Sequence, residues 1–174
     1  MKRQIVLVTD RLLVTTWLPG DIDDLCQVHS DPVTMRWVRH GRPETRDEVE
    51  DLIASYRNEQ QNRGWTRWRV ADRHDRLVGR AGFGLHHDGC GRELGFTLRR
   101  DSWGRGLATE VAGGLADWHW RNTAAELWAF AAVDNTASRR VLDKVGFRFE
   151  GDVEQKGVPC ALYRLGYRPT TAER

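Results

Sequence analysis

Two stretches of the chain hold residue types and spacings that could do chemistry. The first is Leu98-Arg-Arg-Asp-Ser-Trp-Gly-Arg-Gly-Leu-Ala-Thr-Glu110, where Gly104 and Gly106 stand beside Arg99, Arg100 and Arg105. Glycines let a backbone come close to a ligand and take positive φ. A helix that starts here adds unpaired N–H groups and the positive end of its dipole, which together make a phosphate-sized anion site. A plain strand-to-helix turn with solvated arginines has the same spelling, because Gly-x-Gly alone is a weak signal. Two known phosphate loops are excluded. Thr109 stands where the dinucleotide fingerprint needs its third glycine, and no Gly-Lys-Ser/Thr is present. The second stretch runs from Asp134 to Phe147 and carries Asn135 and Ser138. Asn135 also fits a simple N-cap, with Gly146 as the C-terminal glycine and Phe147 in the core.

These residues need elements to hold them. Arg11 to Trp17 reads as a strand, broken by Pro19-Gly20. Asp21 is a plausible N-cap for Ile22, Leu25, Cys26 and His29 at helical spacing. Thr45 to Glu48 forms a capping box ahead of Val49, Leu52, Ile53 and Tyr56, with acidic residues where the dipole favours them. Trp68–Ala71, Leu77–His86 and Arg92–Leu98 read as an antiparallel meander, with turns at Asp72–Arg76 and Asp88–Gly91. Helical spacing returns from Arg105 to Trp120. Leu127–Val133 is a buried strand, a short helix reaches Val145, and a last strand runs near Ala161–Leu165. The order β-α-α-β-β-β-α-β-α-β argues α+β, a mixed α/β sheet flanked by helices.

The 174 residues suit one domain, 1–174, and 40% hydrophobic content suffices for its core. Lys plus Arg is 27 against 25 Asp plus Glu, which gives no reason to expect bulk nucleic-acid binding. No apolar run is long enough for a membrane helix or a secretory signal. Cys26, Cys90 and Cys160 are too far apart for a disulfide framework or a zinc pattern. The expectation is a cytoplasmic protein with free thiols. His86 and His87 point to opposite faces of their strand, and no His/Asp/Glu cluster has metal spacing, so no metal is expected.

Both stretches in one chain, in this order, resemble the GNAT superfamily of acetyl-CoA-dependent N-acetyltransferases. The nearer resemblance is to the branch named for ribosomal-protein N-terminal-amine acetyltransferases. It rests on Glu93-Leu-Gly-Phe96, on Trp103-Gly-Arg-Gly-Leu-Ala-Thr-Glu110, and on Asn135, Ser138, Leu142, Lys144, Gly146 and Phe147. Two positions depart from the superfamily pattern. Asp101 replaces the Gln or Arg three residues before the first glycine, so backbone amides must carry the pyrophosphate contact. Leu142 replaces a tyrosine that acts as acid toward the leaving thiolate in many members, which leaves Ser138 as the nearest candidate.

The resemblance implies a splayed, mostly antiparallel sheet whose opening receives the pantetheine arm of acetyl-CoA. Backbone groups of Phe96, Thr97 and Leu98 would pair with that arm. Gly104, Arg105, Gly106, Leu107, Ala108 and Thr109 would hold the pyrophosphate, and Asn135 would face the pantetheine. Glu93 is the candidate base; a strand-edge salt bridge with Arg69 or Arg80 is its alternative. Trp17, Trp37, Trp65 and Trp68 either wall the acceptor pocket or pack the N-terminal helices onto the sheet, while Trp118 and Trp128 read as core. His40 either borders the acceptor or is an ordinary loop histidine; with Trp37 it is the candidate acceptor contact. The implied acceptor is a primary amine, either a protein N-terminus or a small molecule such as a polyamine, amino acid or aminoglycoside. Partners beyond the acceptor are limited to a second copy of the chain, with no nucleic acid and no membrane. The competing classes are a non-catalytic CoA-binding module, which would hold acetyl-CoA without turnover, and a dinucleotide-dependent oxidoreductase, which the loop argues against.

Overall fold

The computed structural model describes residues 2–38, 40–86, 91–123, 125–155 and 157–166. Among them, the strands are β1 (Ile5–Val8), β2 (Leu12–Thr15), β3 (Arg67–Asp72), β4 (Leu77–Leu85), β5 (Arg92–Leu98), β6 (Leu127–Ala132), β7 (Arg148–Gln155) and β8 (Val158–Leu165). The helices are α1 (Ile22–His29), α2 (Pro32–Met35), α3 (Arg46–Arg63), α4 (Leu107–Asn122) and α5 (Thr136–Val145). One sheet runs in the order β1-β2-β3-β4-β5-β6-β8-β7. Every neighbouring pair is antiparallel except β5 and β6, which are parallel. The mixed α/β sheet flanked by helices is the fold class expected. The expected turn at Asp88–Gly91, and His87 and Cys90 with it, lies mostly outside the described residues.

Local chemistry sets the helix ends. The Thr45 capping box forms: Glu48 N donates to Thr45 Oγ1 at 3.3 Å, and Thr45 N donates to Glu48 Oε2 at 2.8 Å. Gly64 closes α3 in the left-handed conformation, φ 75°. Asp21 does not cap α1 with its side chain. It accepts instead from Arg3 at 2.6 and 2.9 Å and from Leu18 N at 2.7 Å, which ties the N-terminal segment to the start of the helix.

The sheet is covered on both faces, which lets each strand bury residues of both parities. On one face Val49, Ile53 and Tyr56 of α3 pack with Leu25 and Val28 of α1 and with Trp17. On the other, Val111 and Leu115 of α4 and Leu142 of α5 pack with Trp68, Val70, Phe83, Leu94, Leu98, Leu127 and Tyr163. Trp68 lies edge-on to Trp118 with ring centroids 5.0 Å apart. Trp17 and Trp68 are therefore packing residues. Trp128 corrects its reading as core: β6 alternates strictly, and Trp128 and Phe130 project, half-buried, to the face opposite Leu127 and Ala129.

Candidate active site

The parallel pair β5–β6 is the place where the sheet comes apart. Its register is Arg92↔Leu127, Glu93↔Trp128 and Leu94↔Ala129. Beyond Leu94 the strands separate, although β5 stays paired to β4 as far as Leu98 and β6 stays paired to β8 as far as Ala132. Gly95–Leu98 and Phe130–Ala132 thus present facing strand edges across an open seam. An edge of unpaired N–H and C=O groups is a template for another extended chain with amides of its own. Because the strands are parallel, their C-terminal ends lie together at the wide end of the seam, and each leads into a helix there.

From β5 the chain makes a 3₁₀ turn, Arg100–Ser102, and then passes Gly104 and Gly106 into α4. Both glycines are left-handed, with φ of 71° and 76°, and a β-carbon on Gly104 would meet nothing within 4 Å. Glycine is required here for its backbone and not for room. Gly106 is the N-cap of α4 and supplies no side-chain cap. The amides of Leu107, Ala108 and Thr109 are therefore the donors that a helix start leaves unpaired. Trp103 holds the loop as a wedge, its indole N–H donating to Leu98 O at 2.9 Å. Asp101, the acidic departure, accepts from Arg99 at 3.2 Å.

Glu110 fixes this loop from behind. Its Oε1 accepts from Thr9 Oγ1 at 2.6 Å and Arg11 N at 2.8 Å, and its Oε2 accepts from Arg11 Nε at 2.6 Å. Arg11 Nη1 then donates to Arg105 O at 2.9 Å. Burial would push the Glu110 carboxyl up, but the hydrogen bonds from Thr9 and Arg11 prevail and hold it below the usual carboxylate range.

From β6 the chain enters α5. Asn135 Oδ1 accepts from Ser138 N at 3.1 Å, so the N-cap reading of Asn135 is realised. Its Nδ2 makes no hydrogen bond among the described residues, and neither does Ser138 Oγ. Arg139 anchors this turn through Tyr163 Oη and Val133 O, each at 3.1 Å. Leu142 is 1% exposed and faces the core, so it takes no part in chemistry.

Glu93 stands at the narrow end of the seam, on the opposite face from Leu94 and α4. Among the described residues it pairs with Arg67, 3.5 Å away, and not with Arg69 or Arg80. Arg69 is held by Asp75 at 2.6 Å, and Arg80 donates to His29 Nε2 at 3.1 Å. His29 Nδ1 lies 2.8 Å from Glu44. Since an arginine N–H only donates, His29 Nε2 accepts and the ring proton sits on Nδ1. On the same face His86 stacks on Trp128 and Phe130 at 4.8 and 5.5 Å. Buried Cys160 lies close enough that burial and the Glu93 charge both push its thiol up.

The structure brings Glu93, the seam residues Phe96, Thr97 and Leu98, the loop 104–109 and the turn of Asn135 and Ser138 to one seam. Trp37 and His40 are the expected acceptor contacts. Both lie exposed just past α2, Trp37 with Arg36 over its ring at 4.4 Å. Trp65 is half-buried beneath Arg92, 5.1 Å from its ring. Among the described residues no three His, Cys, Asp or Glu side chains cluster as a metal site, and no helix is long and apolar enough to cross a membrane.

The family model described as an acetyltransferase (GNAT) domain matches residues 11–148. The chain belongs to the GNAT acetyltransferase family. An uncharacterised N-acetyltransferase, p20 of Bacillus licheniformis, is 27% identical over 148 residues, covering 83% of each chain. Among solved structures, an acetyltransferase from Salmonella typhimurium that modifies the N-terminal serine of ribosomal protein L7/L12 superposes with a TM-score of 0.81 at 15% identity, over 95% of this chain and 100% of that one. The spermidine N-acetyltransferase of Vibrio cholerae gives 0.72 at 16% identity, over 88% and 94%. At such identities the two structures share the fold. The GNAT protein is an acetyl-CoA-dependent acetyltransferase, and the seam and glycine loop above fit that co-substrate: an amide-bearing arm and a pyrophosphate need strand edges and free N–H groups.

Proposed function

We propose that this acetyltransferase moves an acetyl group from acetyl-CoA to a primary amine by direct attack, with the α-amine at a protein N-terminus as the first acceptor class. The observation that carries the reading is the open β5–β6 seam with a left-handed glycine loop at its wide end. From Leu98 back to Leu94 the edge spans about 13 Å at ~3.3 Å per residue. The amides of residues 104–109 would hold the pyrophosphate. The edge Phe96–Leu98 would pair with the pantetheine, and Asn135 Nδ2 would donate to it from α5. The thioester then falls near Leu94, with Glu93 on one side of the sheet and α5 on the other.

In the reaction the amine nitrogen bonds to the acetyl carbon and the carbon–sulfur bond breaks. Glu93, through a water, takes the proton the amine gives up. The thiolate leaves with a pKa of about 8.5 and needs no strong acid, so a donor as weak as the Ser138 hydroxyl suffices. An α-amine titrates near ~8 and is partly neutral already, which suits a site with one carboxylate as base. The exposed turn of Trp37 and His40 is proposed to meet a peptide acceptor outside the seam.

The test is thiol release from acetyl-CoA against N-terminal peptides, polyamines, amino acids and aminoglycosides. Release that depends on the amine and yields its N-acetyl product is the expected result. Retention of acetyl-CoA without turnover, whatever amine is offered, would instead describe a binding module.

A further inference from the structure

The face of the sheet from which an acceptor would reach the seam has a bare floor. Cross-strand partners share a face, and the register places Arg67 opposite Gly82, Gly82 opposite Gly95, and Gly84 opposite Glu93. Arg67 stretches over this glycine floor. A β-carbon on Gly84 would stand 2.7 Å from its Nη2, and one on Gly95 would stand 3.0 Å from its Nε. The side chain is 26% exposed and ends beside Glu93, itself 23% exposed.

The charges around it are unequally committed. Asp21 is bound by Arg3, Glu44 by His29, and Glu93 by Arg67. Arg69 and Arg80 are held by Asp75 and His29. Arg67 has five N–H donors and, among the described residues, its side chain spends one of them, at a long 3.5 Å, on Glu93. It is thus a half-shielded guanidinium with a planar fork of donors still to satisfy, beside the candidate base. Such a fork fits a carboxylate bidentately, and an amine dication would meet it as a like charge.

We infer that Arg67 is a specificity-determining residue, which selects acceptors carrying a carboxylate close to the reactive amine and disfavours polyamines. This rests on the acetyl-transfer reading of the same seam. The carboxylate has two possible sources: the α-carboxylate of a free amino acid, or an acidic side chain in the first two residues of a peptide. The glycines are part of the device. Alanine at Gly84 would displace the guanidinium while leaving its charge in place.

The experiment is steady-state thiol release by the wild type, Arg67→Gln and Gly84→Ala with matched acceptors. Free phenylalanine is compared with phenylalaninamide, the peptide amide Ser-Asp-Phe with Ser-Asn-Phe, and spermidine is run alongside. For the wild type, kcat/KM favours the carboxylate member of at least one pair by about tenfold or more, the discrimination of one charge-assisted contact; which pair responds identifies the source. Arg67→Gln brings that ratio near unity by raising the acceptor KM more than it lowers kcat, and leaves the KM for acetyl-CoA unchanged. Gly84→Ala lowers the ratio part-way. A wild type that uses neutral amides or spermidine as well as their carboxylate counterparts overturns the inference while acetyl transfer stands. So does a ratio that survives Arg67→Gln. A wild type that turns over none of these acceptors overturns both.

Discussion

Single side chains divide here between those that hold the site and those that act in it. Glu110 belongs to the first kind. Glu110→Gln keeps its shape but loses the charge that accepts from Thr9 and Arg11, and urea unfolding at neutral pH should register a loss of about 1–3 kcal/mol. The folded carboxyl is held below its ordinary value. A depressed carboxyl stabilises above its unfolded pKa, and the contribution is lost as pH falls through the folded one. The gap between the two proteins is therefore full at neutral pH and closes below pH ~4. A gap that persists undiminished in acid would mean that the charge is not what holds the loop. Glu93 is proposed to be of the second kind. Glu93→Gln should slow turnover by about 10²-fold or less, with a deficit that shrinks as pH rises and the amine neutralises itself. A normal rate at pH ~6.5, where the amine most needs a base, would reduce Glu93 to a partner of Arg67. Ser138→Ala should lower rate more than acetyl-CoA affinity, and full turnover would show that no side-chain acid is used there. Arg67 was illegible in the sequence. Nothing marks it among 27 lysines and arginines, and the role proposed for it rests on its place over two glycines of other strands.

The elements around the two motifs were legible because their signals are local. A capping box, paired glycines before an apolar helix, and an asparagine cap with a closing glycine each specify a helix end without help from the rest of the chain. Asn135→Ala removes one such signal. It should cost about 1 kcal/mol of stability, and its effect on acetyl-CoA affinity, measured beside stability, should exceed what that loss explains. Unchanged affinity would leave Asn135 as a cap alone. Elements without local signals escaped. β7, Arg-Phe-Glu-Gly-Asp-Val-Glu-Gln, is a polar edge strand with Phe149 51% exposed, so it lacks a core-facing alternation. β1 exposes Ile5 at 65%. α2 is four residues long, too short to show a period. The separation of β5 from β6 was also unreadable in residue pattern, since both strands remain paired on their other sides; it was expected from resemblance alone.

For the molecule as a whole, buried His119 makes stability depend on pH below ~6.5. His119 is fully buried, with Nε2 2.8 Å from Ala125 O and Nδ1 3.4 Å from Arg92. Its pKa is lowered chiefly by burial, which outweighs the opposing Ala125 bond and is reinforced by the Arg92 charge. The unfolded chain then takes up a proton below pH ~6.5 that the folded chain refuses, so stability falls with falling pH across that window, by up to about 1.4 kcal/mol per pH unit. His119→Gln keeps a donor for Ala125 and should flatten this slope between pH ~5.5 and ~6.5. An equal slope in both proteins would place the titration elsewhere. Two cores pack on the two faces of one sheet, and the β5–β6 seam with the glycine loop at its mouth is proposed as the acetyl-CoA site. Calorimetry of acetyl-CoA binding to the wild type and to folded Gly106→Val tests this most directly. Valine is strained at φ 76° and sits where the phosphates would approach the backbone. Affinity should fall by tenfold or more, about 1.4 kcal/mol, with the fold intact by circular dichroism. Unchanged affinity in the folded variant would contradict the assignment of the loop and, with it, the seam as the co-substrate site.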